Sequence, residues 1–150
     1  MNNARVLMLI QKIIKLYQSY AKPVLNKYSM TQAEFDILAF LANNPELNTA
    51  RDICEVRMLK KSIVCQSIDK LVTKGYVYKK SDPSDKRVLH LLMTDSASII
   101  VEEIKKVQEN YLSTIFSNFT YSDMSELYSL LIKLDANILN TSDFEEIKNG

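Results

Sequence analysis

The stretch from Lys60 to Thr94, KKSIVCQSIDKLVTKGYVYKKSDPSDKRVLHLLMT, constrains the fold more than any other part of the chain. It opens as an amphipathic helix: Val64, Ile68, Leu71 and Val72 recur at the spacing that lines one inward face. Lys61, Ser62, Cys65, Gln66 and Asp69 are left to face outward, with Ile63 near the edge of the stripe. Gly75 supplies the left-handed residue that closes such a helix. Tyr76 to Lys80 and Val88 to Met93 then read as two strands. The turn between them, Ser81 to Arg87, carries two acids, two bases and a proline. A helix feeding a basic-tipped hairpin is shaped to grip a duplex at two depths. The helix suits a major groove, and an arginine on a thin loop suits a narrow minor groove.

The flanking residues extend this into a mostly helical order. Ala4 to about Lys22 has Val6, Ile10, Ile13, Ile14, Tyr17 and Ala21 at helical spacing, and Pro23 is expected to end or kink it. Leu7, Met8 and Leu9 widen its apolar stripe beyond one core contact, which fits burial in a dimer interface, the alternative being a simple core helix. Thr31-Gln-Ala-Glu34 has the form of a capping box, followed by Phe35, Leu38, Leu41 and Ala42 and stopped at Asn43-Asn44-Pro45. Asn48 is expected to cap a two-turn helix, Thr49 to Val56, with Ile53 and Val56 inward. The tight connection Arg57-Met58-Leu59 then leads into a second helix at about Lys60, a helix-turn-helix arrangement. Thr94 is expected to cap a long helix to about Phe119, Thr120 to Asp123 opens a last helix, and the tail from Thr141 should fray. The fold class is mainly α (α+β), a winged helix flanked by terminal helices.

Composition narrows the function. With 150 residues the chain holds one core, and two Gly and three Pro favour long helices. Between Arg51 and His90 there are ten Lys/Arg against five Asp/Glu, while the rest of the chain has nine against thirteen. Positive charge gathered on the helix pair and hairpin is the electrostatic footprint of a nucleic-acid face. The N-terminal apolar run, Val6 to Ile10, is too short to span a membrane and lacks a signal-peptide cleavage site, so a cytoplasmic protein is expected. Cys54 and Cys65 match no zinc or thioredoxin spacing and read as free thiols, Cys54 as a packing residue and Cys65 on the outward helix face. His90 is the only histidine and has no partner at a catalytic spacing, so its expected role is structural. No phosphate-binding loop, H-E-x-x-H or G-x-S-x-G occurs, and neither an enzyme nor a metal or cofactor is expected.

In this order the segments MTQAEFDIL (Met30 to Leu38), DKLVTKGYV (Asp69 to Val77) and DPSDKRVLHLLMT (Asp82 to Thr94) resemble the MarR family of winged helix-turn-helix transcription factors. The resemblance spans nearly the whole chain. It implies one domain over 1–150, with the winged helix at about 31–93 and dimerisation helices at about 4–25 and 95–140. It also implies a homodimer that acts as a repressor on a pseudo-palindromic operator in double-stranded DNA. By position, Lys60, Lys61, Ser62, Ile63, Cys65 and Gln66 fall on the recognition helix, and Arg87 on the wing arginine that enters the minor groove. Asp85 either orients that guanidinium or merely tightens the hairpin. Lys79, Lys80 and Lys86 would touch phosphates. Ile63, Cys65 and Gln66 depart from the family's usual residues, and Gln66 with Ile63 favours an A·T-containing half-site. Tyr17, Tyr20, Tyr28 and Tyr111 either line an effector pocket for a small aromatic or anionic molecule or pack at a dimer rim. The alternative function is a protein–protein interaction module built on the same winged helix.

Overall fold

The computed structural model describes residues 3–141, and the expected frayed tail beyond Thr141 lies outside them. The chain forms two packing units, Met1–Leu112 and Ser113–Gly150. The element order is α1 (Asn3–Lys27), α2 (Gln32–Asn43), α3 (Ala50–Arg57), α4 (Lys61–Thr73), β1 (Val77–Ser81), β2 (Leu89–Met93), a 3-10 turn (Asp95–Ala97), α5 (Ser98–Ile115) and α6 (Tyr121–Leu139). This is a mainly helical winged-helix fold with one two-stranded antiparallel sheet. The strands pair from Val77 with Met93 to Ser81 with Leu89, within a residue of the expected limits.

The core of the first unit is built around α2, whose Phe35, Ile37 and Leu38 are fully buried. Ile53 of α3, Val64, Ile68 and Leu71 of α4, Val77 and Leu91 of the sheet, and Ile100 and Ile104 of α5 close on it. The inward stripe of α4 is as read, with Val72 half-buried and Ser67 also inside. From α1 only Ala21 and Val24 are buried, and Val6 to Ile10, Ile13 and Ile14 are exposed. In the second unit α6 buries no side chain, and Thr120 and Asp123 form the capping box that opens it.

Several expectations are corrected. Pro23 does not end α1, which continues to Lys27. A proline inside a helix removes one donor, here the one that would reach Ser19, and the chain tolerates that loss. The helix closes instead at Ser29, which is left-handed (φ 49), with Met30 N–H donating to Leu25 and Ser29 N–H to Asn26. Thr31 accepts from Glu34 N–H as expected, but the Glu34 carboxylate does not reach back; it is buried and takes Lys74 Nζ at 2.6 Å. The cap of α3 is Thr49 rather than Asn48, because Asp52 completes a reciprocal box with Thr49. Val56 is exposed, since an eight-residue helix turns only its Ile53 face inward. Thr94 stands at the N-cap of a 3-10 turn rather than of α5 and makes no side-chain cap: its hydroxyl donates to the Gly75 carbonyl, and α5 ends at Ile115, short of Phe119.

Candidate nucleic-acid interface

The outward face of α4 is set by its ends. Met58, left-handed at φ 53, makes the sharp connection from α3. Gly75, at φ 75, allows Tyr76 N–H to donate to Leu71 and Gly75 N–H to Val72, closing the helix on both carbonyls. Lys74 just before it donates to the Ser29 carbonyl and to Glu34, which ties the end of α4 to the α1–α2 turn. Arg57 holds Asp36 at 3.0 Å and so fixes the end of α3 on α2. Burial pushes the Asp36 carboxyl up, and Arg57 opposes that shift.

With α4 held this way, Lys60, Lys61, Ser62, Ile63, Cys65 and Gln66 are all exposed on one side of the helix pair. Lys60 stands at the N-cap without capping through its side chain, and no acid lies in the first turn, so this end of α4 suits an anion. Asp69, on the same helix, takes Lys79 of β1 at 2.7 Å, which ties the wing strand to α4 and engages a lysine expected on a phosphate. Lys60, Lys61, Lys70, Lys80 and Lys86 make no ion pair among the described residues.

The wing tip is ordered by two carboxylates. Asp82 Oδ1 accepts from Ser84 N–H at 2.7 Å and Asp85 N–H at 2.9 Å, and Asp82 N–H donates to Val88. Asp85 takes Arg87 with both oxygens, Nε at 3.0 Å and a terminal nitrogen at 3.1 Å, and also the Arg87 N–H. Arg87 nonetheless has 91% of its side chain exposed, so the pair orients the guanidinium without covering it. The arginine holds the Asp85 carboxyl below the usual carboxylate range. His90 donates structure at the wing's base: Nε2 lies 3.0 Å from Asp82 Oδ2 and Nδ1 lies 2.6 Å from Asn48 Oδ1. The His90 contact, with the Ser84 and Asp85 N–H groups, brings the Asp82 carboxyl down to about 2.

Of the four tyrosines, three meet. Tyr111 lies edge-on to Tyr17 at 5.2 Å and to Tyr20 at 6.0 Å, and its hydroxyl donates to the Ile13 carbonyl. Burial raises both Tyr17 and Tyr111 above the ordinary phenol range. Tyr28 stands apart, donating to Glu103 at 2.8 Å with Lys27 over its ring. An open groove in the second unit, between Asn118, Phe119 and Leu127 among others, involves none of these rings. Cys65 is exposed, while Cys54 is half-buried and burial pushes its thiol up.

The geometry has matching precedents. A model of the MarR family fits residues 28–88, from the α1–α2 turn to the end of the wing. A repressor of Bacillus subtilis, the HTH-type transcriptional repressor MdtR, is 25% identical over 141 residues, covering 94% of this chain and 90% of its own. Over residues 28–88 the chain is similar to the MarR family. Another B. subtilis protein, the HTH-type transcriptional regulator YsmB, is 23% identical over 125 residues, 83% of this chain and 85% of its own. Among solved structures, a MarR-family regulator of Listeria monocytogenes in complex with a 26mer DNA shares the fold. Its TM-score is 0.83 at 17% identity, over 100% of this chain and 96% of the other. These relatives are all named as transcription regulators. Among the described residues no helix is long and apolar enough to cross a membrane.

The outward face of α4 and Gly75 follow from sequence pattern, and the Asp85–Arg87 pair from the resemblance of the wing segment. Sequence reasoning missed Asn48, Asp82 and His90 as one network and Asp69 as the partner of Lys79. An acid at the first position of the wing turn, two ahead of Ser84, was the available signal for Asp82. Nothing local pointed to Asn48, whose contact with His90 spans 42 residues.

Proposed function

We propose that the chain is a homodimeric transcriptional regulator, acting in the cytoplasm as a repressor on a pseudo-palindromic operator. The observation that carries this is the pairing of an exposed polar face on α4 with an Arg87 that is pre-oriented yet uncovered. The exposed Ser62, Ile63, Cys65 and Gln66 read base edges, Gln66 through an amide of the kind that pairs bidentately with adenine. Lys60, Lys61, Lys80 and Lys86 neutralise phosphates, and Lys79 does so by exchanging Asp69 for the backbone. Arg87 enters the minor groove, and Asp85 reduces its freedom before binding.

Dimerisation is supported by the apolar surface each unit leaves open, Leu7, Leu9 and Ile14 on α1 and Leu130, Leu131 and Leu134 on α6. The whole of 1–150 would then act as one domain, with recognition helices about one helical turn apart. Repression is the function named for MdtR. The Tyr17, Tyr20 and Tyr111 cluster supports an effector of aromatic or anionic character, with Tyr28 and Glu103 as a separate polar edge. Such a ligand would act by its differential affinity for the two dimer spacings.

The test is selection of bound fragments from genomic DNA by the purified chain, repeated with a panel of aromatic acids. Enrichment of a two-fold-symmetric, A·T-containing site supports the reading, and release by one acid supports the effector. Recovery of random fragments, or retention of a partner protein and no DNA, would instead favour a protein-interaction module.

A further inference from the structure

We propose that His90 is a positioning residue of the wing: bridging Asp82 to Asn48, it holds Arg87 at a set reach from α4, fully so only as an imidazolium, so that operator affinity falls as pH rises. The inference rests on the DNA-binding reading above and concerns the regulation of that same site.

The argument starts from hydrogen-bond counting. Asn48 Nδ2 donates to the Pro45 carbonyl at 3.1 Å, which fixes the amide so that its oxygen, not its nitrogen, faces the ring. Asn48 Oδ1 then lies 2.6 Å from His90 Nδ1, and the Asp82 carboxylate lies 3.0 Å from Nε2. Both neighbours are acceptors. A neutral imidazole has one N–H and satisfies one of them, whereas an imidazolium donates to both.

The bridge connects the two halves of the interface. Asn48 lies just ahead of α3, and its carbonyl accepts from Leu91 N–H at 2.7 Å beside the Thr49–His90 bridge. Asp82 in turn orders the wing turn through the N–H groups of Ser84 and Asp85, and Asp85 carries Arg87. A chain of contacts therefore runs from the base of the helix-turn-helix to the wing tip, with the His90 ring as its middle link.

The surrounding charges are few. Asp82 stays ionised across the working range, since its carboxyl is brought down to about 2. Lys80 stands opposite His90 in the ladder and opposes the positive ring. Asp52, at the start of α3, is bonded to Thr49 through N–H and hydroxyl. Cys54 is pushed further from neutrality by burial. Because His90 is the only histidine, the ring reports without overlap.

The test measures affinity for a selected operator duplex at fixed salt from about pH 6 to about pH 8, the range in which imidazoles change charge. Wild type should lose about fivefold over that range, the worth of one ordinary hydrogen bond. His90→Phe, which loses both bonds, should be weaker than wild type by more than that factor at the acid end and flat thereafter. His90→Gln, which still donates to Asp82 but carries no titrating proton, should regain affinity without regaining the slope. A His90→Phe profile parallel to wild type, or equal to it at the acid end, overturns the proposal. A second readout needs no DNA. Near pH 6 the free full-length chain should show two slowly exchanging ring N–H signals, and Asn48→Leu should remove one. Fewer than two protected ring N–H signals overturn the bridge. A chain that shows both signals but binds no duplex refutes the DNA-binding reading instead.

Discussion

Lys74→Met tests what holds α4 in place. Lys74 sits at the C-cap of α4 and donates to the Ser29 carbonyl at 2.8 Å and to Glu34 Oε2 at 2.6 Å. The Glu34 side chain is 1% exposed and that of Lys74 28%, so the substitution strands a carboxylate that water barely reaches. Breaking a buried pair costs about 3 to 5 kcal/mol, and the partial exposure of Lys74 places this one near the lower figure, about 3 kcal/mol. At roughly 2 to 4 °C per kcal/mol for a chain of this size, the melting temperature should fall by roughly 6 to 12 °C. Urea titrations of wild type, Lys74→Met, Glu34→Gln and the double variant, at one protein concentration, close a double-mutant cycle. The double variant should recover part of the loss, because the stranded charge is gone. A loss below about 1 kcal/mol in Lys74→Met, the range of exposed pairs, would refute the reasoning. So would strict additivity of the two single changes.

Other outcomes follow from the same geometry. Arg87→Ala should lower operator affinity at least about tenfold with the dimer mass unchanged, as read by anisotropy and sedimentation; unchanged affinity removes the wing from the interface. Gly75→Ala meets nothing within 4 Å, so only the left-handed backbone resists it, and urea unfolding should show a loss of about 1 kcal/mol. In acid, Asp82 is depressed relative to an ordinary carboxylate, so its contribution is complete above about pH 4 and lost as pH falls through about 2. The Ser84 and Asp85 amides should therefore keep their protection from exchange at about pH 3 and lose it below about pH 2.

What could be read from the sequence was local. The α4 stripe, its glycine closure and the Asp85–Arg87 pair depend on residues within a few positions of each other, and the fold reproduces them. Pro23 was misjudged because a proline costs a helix one bond but does not forbid its continuing, and the left-handed Ser29 was the real stop. Asn48 and Thr49 are both good caps; Asp52, three residues after Thr49, decides between them. Glu34–Lys74 and Asn48–His90 join residues 40 and 42 apart, and no periodicity announces such pairs. The same holds for Thr94, a good cap by type whose hydroxyl goes to Gly75 across the base of the sheet.

The most direct measurement is the salt dependence of duplex binding by the intact chain. The account predicts two protomers per operator and a steep linear fall of log affinity with log salt. The slope is set by the phosphates that Lys60, Lys61, Lys80, Lys86 and their partner-protomer counterparts neutralise, about 0.9 per phosphate. An affinity that is flat in salt, or a single protomer bound per site, would contradict it.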